Sequence, residues 1–152
     1  MVTAEQVRIR RCEARDLDHF GVFGSDIHVE YCRGEFAQAD RIVILVAVDE
    51  DDLPQGKVHV HLEHREGAVW LEAAAVARPR QGRGIGTALV HAAEALAAER
   101  GYGAVELGVE DSNPGARRLY ERLGYRSVAR NDFQYMGAPA PNPGVTLRKE
   151  LA

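Results

Sequence analysis

Cysteine is nearly absent from this chain: Cys12 and Cys32 are the only two in 152 residues. Their spacing fits no metal motif and too few are present for a disulfide scaffold, so both are expected to be reduced, packed thiols. Long apolar runs are missing as well. No stretch approaches the ~20 residues that span a bilayer, and Met1 to Arg11 has neither the apolar core nor the cleavage pattern of a secretory leader. The expectation is a cytoplasmic protein with no membrane partner. Positive charge is not in excess either; a net charge of −4 argues against nucleic acid as a principal partner. No repeat and no low-complexity linker interrupts the chain. The remaining composition, 45% hydrophobic and 28% charged, suits one domain over residues 1–152 that buries roughly two-thirds of its unfolded surface.

What is present concentrates in two segments. In the first, an apolar strand (Val69 to Val76) runs into three alternating glycines, Gly82, Gly84 and Gly86, and a helical pattern begins at Ile85. Glycine lets the backbone turn sharply and approach a ligand closely, because no Cβ stands in the way. The first helical turn leaves N–H groups without internal partners, and the helix dipole adds partial positive charge. Together they form a phosphate cradle, beside which Arg78, Arg80 and Arg83 place fixed positive charge. A dinucleotide fingerprint fails, because Thr87 stands where the third glycine belongs, and a triphosphate loop fails for want of a lysine. A plain strand-to-helix turn with solvated arginines would use the same glycines, so a second signal is needed.

The second segment supplies it. Ser112-Asn113-Pro114 reads as a helix start, with Ser or Asn as the cap and proline at the first helical position. The helix is expected to stop at Gly124. Asn113, Ala116 and Tyr120 then share one face, an amide, a small residue and a phenol in line along a ligand.

Gln81-x-x-Gly84-x-Gly86 after the strand resembles the acyl-CoA-binding motif of the GNAT superfamily of N-acetyltransferases, and Asn113-x-x-Ala116-x-x-x-Tyr120 resembles that superfamily's second signature, in the same order. The resemblance implies acetyl-CoA as co-substrate, with Gly82, Arg83, Gly84, Ile85, Gly86 and Thr87 on the pyrophosphate. It also implies backbone hydrogen bonds from Ala74, Ala75 and Val76 to the pantetheine arm and acetyl carbonyl, and Asn113 as a further cofactor contact. No metal is implied. The acetyl group is expected to pass directly, in a ternary complex, to the primary amine of a small molecule.

Such a transfer needs a neutral amine, a polarised carbonyl and a proton for the departing thiolate. Tyr120 suits the last task, since a phenol pKa of ~10 lies somewhat above that of a thiol. Glu72, on the strand beside the thioester site, is the candidate base, with Glu106 and Glu110 behind it. Leu107 to Asn113 resembles the Leu-Glu-Val stretch of ribosomal-protein N-terminal acetyltransferases, but Gly108 stands where those enzymes carry their base, which favours a small amine over a protein N-terminus. The acceptor surface is expected on Phe20 to Tyr31 and Phe133 to Gly144. Asp26, Glu30 and Glu35 on the early helical segment, if they border it, would attract cationic amines; Asp49 to Asp52 form an acidic turn. Two alternatives remain, a non-catalytic acyl-CoA sensor and acetylation of a protein amine; a nucleotide-dependent redox enzyme is a distant third. Assembly as a homodimer is compatible with the sequence.

His59 and His61 share one face of a strand, opposite Val58, Val60 and Leu62, but a zinc site needs a third ligand, so an exposed strand face is the expectation. His64 is expected on the opposite face or in a turn, and His19, His28 and His91 show no useful spacing.

Patterning gives the element order β α α β β β α β α β β. The strands are expected at Val7 to Arg11, Arg41 to Val48, Lys57 to His64, Ala68 to Val76, Ala104 to Val109, Tyr125 to Ala129 and Val145 to Leu151. Ala14 to Asp40 reads as one or two short helices with Asp16 as cap, and Ile85 to Arg100 as a long helix burying Ile85, Leu89, Ala92 and Leu96. Gly137 to Gly144, rich in proline, is expected to be a stiff loop outside the sheet. This order matches an α/β GNAT fold, a splayed mixed sheet of about seven strands flanked by about four helices.

Overall fold

The computed structural model describes residues 7–134 and 139–152. Strand β1 (Arg8–Arg11) leads into a 3-10 helix, Ala14–Val22, and then helix α1 (Asp26–Phe36). Three antiparallel strands follow, β2 (Ile42–Val48), β3 (Pro54–Arg65) and β4 (Ala68–Val76). A 3-10 turn at Arg78–Arg80 connects β4 to α2 (Ile85–Glu99), and β5 (Ala104–Glu110), α3 (Pro114–Arg122), β6 (Arg126–Phe133) and β7 (Asn142–Glu150) complete the order. All seven strands join one mixed sheet, β1-β2-β3-β4-β5-β7-β6, in which only β4 and β5 pair in parallel. The expected architecture is therefore found, with the long 3-10 helix as the fourth helix.

Strand β2 is apolar throughout because it is covered on both faces. Val43, Leu45 and Ala47 share a core with Ile85 and Leu89 of α2, whereas Ile42, Ile44, Val46 and Val48 pack with Leu17, Phe20 and Cys32 on the other side. Strand β3 divides differently. Val58, Val60 and Leu62 join the α2 core, and Lys57, His59 and His61 point to the α1 side. The α2 face is rotated from expectation: Val90, Ala93 and Ala97 are buried with Ile85 and Leu89, while Ala92 and Leu96 are only partly so. The helix start lies close to the sheet, because a Cβ on Gly56 of β3 would lie 2.9 Å from the Ile85 side chain. Small residues let the helix settle onto the sheet there.

Two sequence expectations fail at element ends. Asp16 is not the helix cap; it sits inside the first turn, accepting from the Glu13 N–H at 2.6 Å and from both terminal nitrogens of Arg10. Asn142, Pro143 and Gly144 belong to β7, paired with Phe133, Asp132 and Asn131 of a longer β6; Gly137 and Ala138 of that stretch lie outside the described residues. Proline is tolerated because Pro143 turns its missing donor toward β5, which ends at Glu110, and its carbonyl accepts from Asp111 N–H at 2.9 Å.

The centre of the sheet opens. Parallel pairing runs from Ala68↔Ala104 to Leu71↔Leu107 and then stops. At that point β4 carries a bulge: His59 pairs with Glu72 and Lys57 with Ala75, so Ala73 and Ala74 together oppose Val58. Ala73 adopts φ 55°, a region L-residues seldom occupy. The buried Lys57 Nζ donates to the Ala73 carbonyl at 2.6 Å and holds the bulge.

Candidate active site

At the start of α2 the backbone is shaped for an anion. Gly82 and Gly84 have φ of +78° and +87°, and a Cβ on either would point into open space. Gly84 is the helix N-cap and offers no side-chain acceptor, so the first-turn N–H groups face outward. Gln81 folds back to donate to the Val76 carbonyl at 3.0 Å, fastening the turn to the end of β4. These features fit a pyrophosphate.

From this turn a cleft of about 660 Å³ runs along β4 to Tyr120, lined by Gly86, Val76, Ala75 and Ala74 on one side and Asn113 on the other. Because β5 has departed, the β5-facing edge of β4 beyond Leu71 borders the cleft instead of a strand. Asn113 caps α3, its Oδ1 accepting from Ala116 N–H at 3.1 Å, with Pro114 at the first helical position. A second cavity of about 270 Å³ occupies the splay itself. Glu72 and Ala74 line one wall; Tyr120, Asn113 and Glu110 line the other. Sequence reasoning placed Tyr120 and Glu72 as an acid and base pair, and the fold brings both to this one cavity. Burial raises the pKa of each above its ordinary value.

Glu72 also opens onto a third cavity of about 280 Å³ with Tyr31, His28, Ala73 and Gln134. The Tyr31 hydroxyl donates to the Glu72 carboxylate, and His61 Nε2 lies 3.4 Å from it. Behind Glu72 a buried polar chain crosses to α1. Lys57 Nζ lies 3.1 Å from His59 Nε2, His59 Nδ1 2.9 Å from Glu35 Oε1, and His61 Nε2 2.8 Å from the same oxygen. An ammonium only donates, so His59 accepts at Nε2 and donates from Nδ1. Burial depresses His59 to about 4 and Lys57 to about 8. Burial would raise Glu35, but the hydrogen bonds from His59 and His61 outweigh it and hold the carboxylate at about 2.

The expected exposed histidine face is thus wrong. His59 is fully buried and His61 is half-buried, because α1 covers this side of β3. His64 also lies on this face: Glu63 takes φ 60° within an irregular stretch, and the His64 ring sits 4.7 Å from Trp70, the partner of His61. Tyr31, Glu35 and Lys57 were missed as members of this chain. Their only sequence signal was spacing, Tyr31 and Glu35 one helical turn apart and Lys57 two before His59. Glu35, His61 and Glu72 bring one ligand atom each within 4.8 Å of one another and are the residues that could hold a metal ion among those described.

Other candidates move away from the chemistry. Glu106 is buried under Arg148 at 2.7 Å, with His64 and Arg65 each 3.4 Å away, and lines none of the cavities described. A Cβ on Gly108 would lie 2.6 Å from the Phe133 ring, which fills the space a side chain there would need. Asp26, Glu30 and Glu35 line a shallow groove on α1, and the Glu35 carboxylate turns inward to the histidines. In the acidic turn Asp52 is paired with Arg8, Arg10 and Arg15, and Asp49 lies 3.7 Å from Arg80. Cys12 and Cys32 are free thiols, and burial pushes Cys12 up to about 12.

Residues 10–125 match the profile of the acetyltransferase (GNAT) family. The chain belongs to the GNAT acetyltransferase family. Its GNAT fold resembles the ribosomal-protein-S18-alanine N-acetyltransferase from Escherichia coli, with TM-score 0.78, 18% identity and 95% and 93% of the two chains covered. A spermidine N-acetyltransferase chimera from Vibrio cholerae and hSSAT aligns at TM-score 0.77 with 17% identity, covering 95% of each chain. Nourseothricin acetyltransferase aligns at 0.74 with 21% identity over 95% and 98%. No curated protein matches the sequence. Family membership supports acyltransferase activity with acetyl-CoA as the family's donor, and the neighbours act on small molecules in some cases and protein in another. No helix among the described residues is long and apolar enough to cross a membrane.

Proposed function

We propose that this protein transfers the acetyl group of acetyl-CoA directly to the primary amine of a small molecule. The observation that carries the reading is the convergence of Glu72 and Tyr120 on the splay cavity, at the end of the cleft that begins in the Gly82–Thr87 cradle. With acetyl-CoA bound, its pyrophosphate lies on that cradle, and Ala74, Ala75 and Val76 border its pantetheine arm. Glu72 takes the proton of the incoming ammonium. The amine nitrogen then bonds to the carbonyl carbon, the carbon–sulfur bond breaks, Tyr120 gives its proton to the thiolate, and the surplus proton on the nitrogen returns through solvent to the phenolate, leaving a neutral amide and free thiol. A carboxyl raised by burial suits a base for an amine better than an exposed one.

The small-molecule preference rests on the acceptor side. The cavity beside Tyr31 and Glu72 is about 280 Å³, just under the ~300 Å³ at which pockets for drug-sized ligands begin, and so suits a small acceptor. Phe133 occupies the space next to Gly108, and Asp26 with Glu30 places negative charge in a groove on α1 that shares Ile27 and Tyr31 with this cavity. The test is thiol release from acetyl-CoA with a panel of amines at low salt, in the intact protein and in Glu72→Gln. Turnover should favour cationic small amines over carboxylate-bearing ones, and the variant should lose it while still binding acetyl-CoA. Binding without turnover on any amine would make the protein a sensor. Turnover confined to peptide N-termini would make it a protein acetyltransferase.

A further inference from the structure

His61 and the buried chain behind it are not used by the acetyl-transfer scheme, yet they converge on its base. We infer that Glu35, His61 and Glu72 form a binding site for a divalent transition metal of the zinc class, opening on the acceptor cavity, and that metal bound there shuts off acetyl transfer. The ligand atoms are one imidazole nitrogen and two carboxylate oxygens, mutually within 4.8 Å. His61 Nε2 lies 2.8 Å from Glu35 Oε1 and 3.4 Å from Glu72 Oε2. Ligands about 2.0–2.2 Å from a tetrahedral zinc are a little over 3 Å apart, so a modest side-chain rotation at Glu35 completes the geometry. The His61 ring then carries its proton on Nδ1 and offers Nε2 to the metal.

Outer partners that orient metal ligands are already in place. His59 donates to Glu35 from Nδ1, and its own tautomer is set by Lys57. The Tyr31 hydroxyl donates to Glu72. Three protein ligands leave a fourth position, as open zinc sites do. Access exists from two sides: Glu72 lines the acceptor cavity, and Glu35 and His61 line a separate cavity of about 450 Å³ with Gln38 and Arg41. Imidazole with carboxylate favours zinc over magnesium or calcium, which take all-oxygen shells. The Lys57 ammonium lies beyond the His59 ring and opposes a second charge, so the metal is held reversibly.

The inhibitory half rests on Glu72 being the base, since a carboxylate oxygen bound to zinc cannot accept the amine proton; the binding half does not. Cobalt(II) titration of the intact protein should give visible bands of a tetrahedral site, one metal per chain, bleached by stoichiometric zinc. His61→Gln and Glu35→Gln should weaken binding roughly tenfold or more, while His91→Gln, on the exposed side of α2, should not. Should either core variant misfold in a thermal melt, Glu72→Gln, whose side chain is 30% exposed, makes the same test. Absent tetrahedral bands, or bands untouched by every ligand substitution, would overturn the site. Zinc should also slow thiol release competitively with amine. Metal binding without inhibition would overturn the shut-off and the base assignment while leaving the site. No metal binding alongside a dead Glu72→Gln would do the reverse.

Discussion

Tyr120 and Tyr125 are five residues apart and meet edge to face, with centroids 5.8 Å apart, yet their side chains have different surroundings. Tyr125 is buried and donates to Glu94 at 2.8 Å, a carboxylate that Lys149 also holds. Tyr120 lines both the cleft along β4 and the splay cavity. Tyr120→Phe keeps the ring and its packing and deletes only the phenol proton. Its kcat should fall roughly 10²-fold, the low end for a lost general acid, with fold and acetyl-CoA affinity little changed. Tyr125→Phe should do the opposite, lowering stability by about 1 kcal/mol for a lost hydrogen bond and leaving kcat near its original value. Steady-state kinetics under conditions where chemistry limits turnover, paired with thermal melts, separates the two. A Tyr120→Phe enzyme with unchanged kcat would return that tyrosine to a packing role.

At the scale of elements, the junction of β4 and α2 couples a strand end to a helix start through two left-handed glycines. Gly84→Asp puts a side chain and a negative charge where a pyrophosphate would lie, on a backbone at φ +87° that L-residues adopt at a cost. Acetyl-CoA affinity should drop at least about tenfold, or ~1.4 kcal/mol, by titration calorimetry; unchanged affinity would remove the cradle assignment. This junction and the capped start of α3 were legible in the sequence because each is local, with glycine, asparagine and proline acting within a few residues of their own positions. The polar chain was not. His59 and Glu35 are 24 residues apart, and nothing in strand alternation says that α1 will cover that face. Backbone irregularities hid the rest. The bulge at Ala73 displaces register beside Glu72, and the irregular stretch near Glu63 brings His64 to the face where alternation did not put it. Pro143 misled for a related reason, since only the end of β5 decides that its missing donor costs nothing.

For the whole molecule, one face of the central sheet is an ordinary apolar core and the other buries ionisable groups, which makes stability depend on pH in a determined direction. His59 titrates near 4 when folded, mainly because burial disfavours its charged form, against about 6.5 when unfolded. Between those values the unfolded chain binds the extra proton, so folding stability falls as pH drops from 6.5 toward 4. Glu35 continues the trend. Its folded value of about 2 lies below the ordinary 4.5, so the stability it contributes is present above 4.5 and lost as pH falls toward 2. Asp16, for which the hydrogen bonds from Arg10 and the Glu13 N–H outweigh burial, is also lowered and adds the same sign below about 3.8. Glu72 on this face runs the other way, because burial raises it. Each kcal/mol lost should lower Tm by roughly 2–4 °C for a chain of this length. Calorimetry from pH 8 to 4 should therefore show Tm declining below about 6.5, before ordinary carboxylates begin to protonate. His59→Gln, neutral at every pH, should be less stable at pH 7 but flatter between 6.5 and 5. If the intact protein keeps a constant Tm across that interval, His59 is not held neutral by burial, and the buried chain from Lys57 to Glu35 carries a different distribution of protons.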